Sequence, residues 1–181
     1  YTDEVRALID KGADIHARSC LLDTAFMYAA KEHNFFINKE LLSILLDNGA
    51  RLNCRNKNGD TVLIKAIKEN NYNMVKNLLD LDIDIELTGS DLITPLMVAA
   101  KRGDIEILKL IINSGAEIDR RDIYLNTALI YAIAYNQQQA ADILINKGAK
   151  VELYSIFTIL KLIDEKYLDY KGIVKYWNYL V

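Results

Sequence analysis

The chain has 181 residues, of which 51% are hydrophobic and 26% charged, and its formal net charge is −3. This composition is that of a folded chain with an ample apolar interior. The 22 basic and 25 acidic residues are nearly balanced without a Lys/Arg-rich block, and no apolar run approaches the roughly 18 residues of a membrane span, so we expect neither nucleic acid nor membrane as a partner.

The first predicted helix covers residues 2–11, where Val5, Leu8 and Ile9 recur at helical spacing. We interpret it as the second helix of a partial repeat (1–19) whose first helix is missing. The sequence starts at Tyr1 without a Met, so the native protein is expected to begin earlier, and an export signal there stays an open alternative. We expect a cytoplasmic protein in which Cys20 and Cys54, too few for a disulfide scaffold, are unpaired thiols.

A threonine recurs along the rest of the chain. Thr61, Thr94 and Thr127 stand 33 residues apart, and Thr24 precedes Thr61 by 37. Each threonine is predicted to cap a short helix, with Pro95 in a first helical position. A second apolar helix follows in each unit, and three of these helices stop at Gly-Ala, at 49–50, 115–116 and 148–149. Such a period is typical of stacked helical units.

The register divides the chain into full repeats at 20–53, 54–86, 87–119 and 120–152 and a degenerate C-terminal capping repeat at 153–181. Repeat one carries four extra residues within 32–39, which either fold back onto the stack or form a partner-specific protrusion. In repeat two, Asp82-Ile83 replaces Gly-Ala without a change of fold. The short segments after each Gly-Ala are predicted to be extended hairpin arms. The Tyr- and Trp-rich cap, with Trp177, is either a seal alone or a seal plus a binding site.

Thr-Pro-Leu at 94–96, Ala-Ala at 99–100, the Gly-Ala helix ends and the 33-residue period resemble the ankyrin repeat family over about residues 2–153. The resemblance implies one all-α domain over 1–181, an ankyrin-repeat α-solenoid of helix-turn-helix units with short β-hairpin loops. The family commonly has His after Thr-Pro-Leu. His provides a polar contact between repeats in the family, and apolar packing is expected to replace that contact here. The slot holds an apolar residue in every full repeat: Met27, Ile64, Met97 and Ile130.

Catalytic chemistry has little support in the sequence. Its two histidines, His16 and His33, lie in different units, and each lacks a suitably spaced Cys, His or Glu partner. Carboxylates alternate between Asp80 and Asp91 as in the start of a calcium loop, but Ile85 occupies the position that requires Gly, so a helix end and hairpin arm is the favoured interpretation. We therefore predict no active site, cofactor or metal.

The resemblance implies a protein partner on a concave face formed by hairpin tips and first helices. Carried over by position, the predicted partner-binding residues are Lys57, Asn58, Asp60, Ser90, Asp91, Ile93, Lys101, Arg102, Ile123, Tyr124, Asn126 and Tyr135. The charged members are equally consistent with solvated surface. Ile93, Ile123, Tyr124 and Tyr135 have the composition of an interface centre, although Tyr124 and Ile93 packing together to stiffen adjacent hairpins is an equal alternative.

The predicted function is a noncatalytic, monomeric protein-interaction scaffold. The alternative is a targeting or recognition segment of a larger enzyme or exported effector, whose chemistry lies outside this sequence. A third possibility is a small-ligand or cation sensor that uses the stretch from Asp80 to Asp91.

Overall fold

The structure is a computed structural model that describes residues 2–31, 39–81 and 83–150. Most of the predicted insertion, with His33, lies outside the described residues. So do Asp82 of the carboxylate stretch and the capping repeat with Trp177.

Packing divides the chain into two compact units, Tyr1–Ser90 and Asp91–Val181. The first unit contains α1 (Thr2–Asp10), α2 (Ala25–Lys31), α3 (Lys39–Asp47), α4 (Val62–Lys68) and α5 (Tyr72–Leu79). A short 3₁₀ turn covers Ser90–Leu92. The second unit contains α6 (Pro95–Arg102), α7 (Ile105–Asn113), α8 (Ala128–Ala134) and α9 (Gln138–Asn146). In the part of the chain that is described, no helix is long and apolar enough to cross a bilayer.

The short first helices of the repeats begin after the periodic threonines. The hydroxyl oxygens of Thr24, Thr61 and Thr94 each accept a hydrogen bond from the amide three residues on, at 3.4, 3.2 and 3.2 Å. Pro95 occupies the first turn of α6, where its missing N–H leaves no bond unmade. Thr127 precedes α8 in extended conformation, but its side chain makes no capping bond. The sequence therefore predicts the helix starts, whereas one of the four caps lacks its hydrogen bond.

The second helices end where the sequence places glycine. Gly49, Gly115 and Gly148 have φ of +84°, +91° and +88°. This left-handed conformation costs glycine little, and it ends a helix by turning the chain away from the axis. In repeat two, α5 ends at Leu79, with Asp80 as its C-cap in helical conformation.

Within each unit, the core lies between first helices and between first and second helices. In the first unit α2 packs on α4, α2 on α3 and α1 on α3. In the second, α6 packs on α8, and α9 packs on both α7 and α8. The four residues in the slot where the family commonly has His are almost completely buried: Met27, Ile64, Met97 and Ile130. Apolar packing thus occupies this slot, as the sequence predicts.

The connections predicted as extended hairpin arms are tight turns, and no strand occurs within 2–31, 39–81 and 83–150. Three tips are closed by a backbone bond spanning four residues. The bonds run from Ser19 N to Asp23 O, from Asn56 N to Asp60 O and from Asp122 N to Asn126 O, at 3.1, 3.0 and 3.0 Å. A loop this short leaves no room for a ladder of paired residues, so the described part of the fold is all-α.

Candidate functional site

Three of the tip turns are each held by one side chain that lies five residues before the periodic threonine. Asn56 Oδ1 accepts from Asn58 N at 3.0 Å and from Asp60 N at 2.9 Å. Asp122 Oδ1 accepts from Tyr124 N and from Asn126 N, both at 2.8 Å. In repeat one, Ser19 Oγ bonds the amides of residues 21 and 23 in the same way. Such local bonds let the backbone turn sharply without leaving buried amides unpaired.

The residue two before each threonine has a left-handed backbone. Gly59 holds this position in repeat two, with φ of +77°, but the other three repeats place a leucine there: Leu22, Leu92 and Leu125, with φ of +59°, +58° and +65°. An L-residue with a Cβ pays about 1–2 kcal/mol for this conformation. The three leucines are nevertheless 44%, 51% and 46% exposed.

Glycine at position 59 has a steric cause of its own. A Cβ there would collide with the Ser90 side chain, whose hydroxyl donates to the Asn58 carbonyl at 3.0 Å. Neighbouring tips are also tied by a backbone bond from Lys57 N to Leu21 O at 2.8 Å. In the second unit, Ile123 N donates to Asp91 O at 3.1 Å. Adjacent tips within each unit are therefore mutually positioned.

In the first unit, ion pairs hold the second tip against its first helix. Lys65 Nζ lies 3.1 Å from Asp23 Oδ2, and both side chains are largely buried. Asn56 Nδ2 donates to the other Asp23 oxygen at 2.8 Å. Lys68 Nζ lies 2.6 Å from Asp60 Oδ1. Asp60 is only 7% exposed, so the prediction that its side chain faces a partner is corrected. The carboxylate pairs with Lys68 instead.

In the second unit, a tyrosine, Tyr131, stands at the repeat position of Lys65, four residues after the threonine. The Tyr131 hydroxyl donates to Asp122 Oδ2 at 2.7 Å, and the Tyr131 ring stacks on Tyr135 with centroids 6.5 Å apart. Lys101 Nζ lies 4.5 Å from the centre of the Tyr135 ring, a cation–π contact. Burial, followed by the hydrogen bond and charge of Asp122, raises the pKa of the Tyr131 hydroxyl well above its ordinary value. A continuous set of contacts thus joins the tip of repeat four to α6.

Large apolar side chains are concentrated on this side of the second unit. We call them the second-unit tip surface, and its members are Leu92, Ile123, Tyr124, Leu125 and Tyr135, which are 51%, 51%, 59%, 46% and 50% exposed. Lys101, Arg102 and Asp91 are exposed as well. Two leucines of this surface are absent from the residues predicted from sequence. The sequence did contain a signal for them, because the position two residues before the threonine is glycine in repeat two and leucine in the other three repeats.

The remaining predicted binding residues differ in exposure. Ile93 is half-buried, whereas Tyr124 is the most exposed aromatic of its tip. Asn126 is half-buried, and its amide donates to Asp122 Oδ2 at 3.3 Å. In the first unit, Lys57, Asn58 and Ser90 are exposed.

Two carboxylates of the stretch from Asp80 to Asp91 take part in internal contacts. Asp80 caps α5 and pairs with Lys39 at 3.5 Å, while Asp84 Oδ1 accepts from Glu86 N at 2.9 Å. Across the described ranges, no three His, Cys, Asp or Glu side chains are grouped so as to hold a metal ion. Cys20 is exposed and Cys54 half-buried, and both are free thiols.

Paired helices, threonine caps, glycine ends and tip turns at a fixed period define a helical repeat protein. The family model "Ankyrin repeats (3 copies)" matches residues 1–89 and 86–155. The chain therefore belongs to the ankyrin repeat family, and the predicted family and all-α fold are confirmed. Ankyrin repeats are generally protein–protein interaction modules and are typically noncatalytic. A search of curated proteins finds no match to the chain.

Proposed function

We propose that this chain binds a protein partner through the second-unit tip surface. The observation that carries the proposal is the exposure, to about half, of five large apolar side chains on two consecutive tips and the adjoining helix end. Single exposed apolar residues are ordinary, but a cluster rimmed by polar groups is typical of an interaction site. Two exposed tyrosines, with Lys101 over the Tyr135 ring and Arg102 next to Lys101 in the sequence, match the composition of interface hot spots.

The left-handed leucines add a second argument. Leu92 and Leu125 keep a conformation that glycine would adopt without strain, as Gly59 does in the first unit. These leucines contribute little burial that would offset the strain, since about half of each side chain faces solvent. A strained and exposed apolar residue is better explained by contact with a partner than by stability. Leu22 of the first unit is strained and exposed in the same way, so the leucines support binding at the tips in general, and Tyr124 and Tyr135 select the second unit.

The turn of repeat four and the Tyr135 ring are also preorganised by internal contacts. Asp122 fixes both amides of its turn, Tyr131 is held against Asp122, and Tyr135 is held between Tyr131 and Lys101. Side chains that are already ordered lose less conformational entropy on binding. The exposed polar tip residues of the first unit, Lys57, Asn58 and Ser90, are proposed as weaker contacts.

The test is affinity capture with a double variant, Tyr124→Ala with Tyr135→Ala. We expect captured partner to fall by at least about tenfold, because two hot-spot aromatics typically contribute 2 kcal/mol or more each. The free energy of unfolding should fall by only about 1 kcal/mol, because both rings are half-exposed.

The matched control is Leu21→Ala with Leu22→Ala, which removes two side chains of similar exposure, 49% and 44%, from the first tip. This control should retain capture. Equal losses in the two double variants would refute the assignment to the second unit. A loss of several kcal/mol in the tyrosine variant would instead show that the rings belong to the interior.

A further inference from the structure

A cavity of about 350 Å³ lies in the first unit, where the loop before α2 meets the loop before α4. Two arginines and one histidine line it: His16, Arg18 and Arg51. The other lining residues are apolar or neutral, among them Thr24 and Cys54, and no described residue of the lining is acidic. A concave site with one sign of charge focuses its field and concentrates ions of the opposite sign.

The repeat register shows that one of these charges is unusual. Arg51 stands ten residues before Thr61, and the same position before the other three threonines holds an acid: Asp14, Asp84 and Glu117. In two of these loops the acid has a structural task. Asp14 accepts from the amide of residue 16 at 2.8 Å, and Asp84 accepts from that of residue 86 at 2.9 Å. An arginine has no acceptor and does not replace this bond.

The second arginine differs from its repeat equivalent in how it is used. Arg18 and Arg55 both lie six residues before a periodic threonine. Arg55 Nε donates to the Thr88 carbonyl at 2.7 Å, which ties its guanidinium to the next loop. Arg18 makes no hydrogen bond or ion pair with the residues that the structure describes, and the same holds for Arg51. Two guanidinium groups at one cavity therefore keep their donors available.

We propose that this cavity binds a phosphate group. A phosphate at neutral pH carries about −1.5 to −2 charges, which two guanidinium groups neutralise. The planar guanidinium fork suits bidentate binding of phosphate oxygens. The Thr24 hydroxyl, whose oxygen accepts from Met27 N at 3.4 Å, keeps its proton to donate to a ligand. The volume accommodates a phosphate and part of the molecule that carries it.

This site lies in the first unit and is independent of the proposed partner surface in the second. Its ligand is either free inorganic phosphate or a phosphorylated side chain of a peptide, which present the same chemistry. The two sources differ in size, so separate titrations distinguish them.

Cys54 provides the readout, because its half-buried thiol lines the cavity. In a Cys20→Ser background, Cys54 is alkylated with iodoacetamide, which is neutral and is not attracted by the arginines. Inorganic phosphate is titrated against sodium chloride of equal ionic strength, and a phosphoserine hexapeptide is titrated against its unphosphorylated form. We expect saturable protection from one or both phosphate probes, with a rate decrease of about tenfold or more at saturation.

Three variants decide the outcome. Arg18→Gln with Arg51→Gln should abolish protection, and so should Arg51→Glu, which places an acid where the other three repeats have one and is expected to fold. Lys147→Gln removes one exposed charge from the second unit and should leave protection unchanged. Absence of saturable protection, protection that survives in both cavity variants, or equal protection by acetate would each overturn the proposal.

Discussion

The tips of repeat two and repeat four have the same turn, but charged side chains pack against the first tip and aromatic side chains against the second. Both are held by a side chain that accepts two backbone amides, Asn56 in one and Asp122 in the other. Four residues after the threonine, however, repeat two has Lys65 and repeat four has Tyr131. The lysine makes a buried ion pair, and the tyrosine begins a partly exposed aromatic row. The backbone of a tip and its surface are therefore determined by different positions.

The largest expected effect tests the charged tip. Asp23→Ala removes the partner of Lys65 and of the Asn56 amide, and leaves a cation with a side chain only 14% exposed. Because an unpaired buried charge is costly, the free energy of unfolding should fall by about 3 kcal/mol. Urea unfolding followed by circular dichroism measures this. As a control, Glu106→Gln breaks an exposed pair with Lys109 and should change stability by less than about 0.5 kcal/mol. Similar values for the two variants would contradict the sealing role of the Asp23 pair.

The second prediction tests the aromatic tip. Asp122→Ala leaves two turn amides and the Tyr131 hydroxyl without their acceptor. We expect a loss of about 2 kcal/mol, because a buried donor without a partner is more costly than the net value of its bond. Asp122→Asn keeps an acceptor for the turn and should lose less, as measured by the same denaturation. If alanine and asparagine are equivalent, the turn is held by its backbone bond alone.

The third prediction concerns pH. Since the folded protein raises the pKa of Tyr131 above its unfolded value of about 10, the tyrosine ionises more easily in the unfolded chain. Its contribution is complete below about pH 10 and declines as pH rises through the folded-state pKa. Unfolding free energies measured between pH 8 and 11 should therefore be level up to about pH 10 and slope downward above it, and Tyr131→Phe should reduce that slope. Tyr28 lies at the same repeat position in repeat one and is 52% exposed, so Tyr28→Phe is the matched control for the loss of a tyrosine hydroxyl.

The smallest effect isolates the strained leucines. Leu125→Gly relieves about 1–2 kcal/mol of left-handed strain, from which the greater freedom of glycine in the unfolded chain subtracts about 0.4–1 kcal/mol. A net stabilisation of about 0.5 kcal/mol is expected from the difference between these two terms. Leu21→Gly is the matched control: Leu21 is exposed to a similar degree but is not in the left-handed region, so it should be destabilised. Destabilisation of both variants to the same extent would show that strain is unimportant at the tip.

Much of the fold was predictable because its determinants are local. Threonine caps and glycine ends act on the residues next to them, and thus a spacing of 33 residues locates the helices of repeats two to four. The burial of Asp60 was not predictable, because it depends on Lys68, a full helix away. The left-handed conformation of the tip leucines was not predicted for a different reason. Leucine intrinsically avoids positive φ, and only the surrounding turn imposes it.

In repeats two and four, the side chain that holds the tip has two polar atoms, and these atoms make different contacts. One oxygen of Asn56 or Asp122 accepts the amides of its own turn. The second atom reaches another element: the Asn56 amide donates to Asp23 of the preceding repeat, and the second Asp122 oxygen accepts from Tyr131 of α8 as well as from the Asn126 side chain. Exchanging asparagine for aspartate would preserve the turn and reverse the polarity of that outward contact. Repeats of this chain are therefore not freely interchangeable modules. Repeat two requires an acceptor in the repeat before it, which constrains the order in which such segments can be recombined by duplication or by engineering.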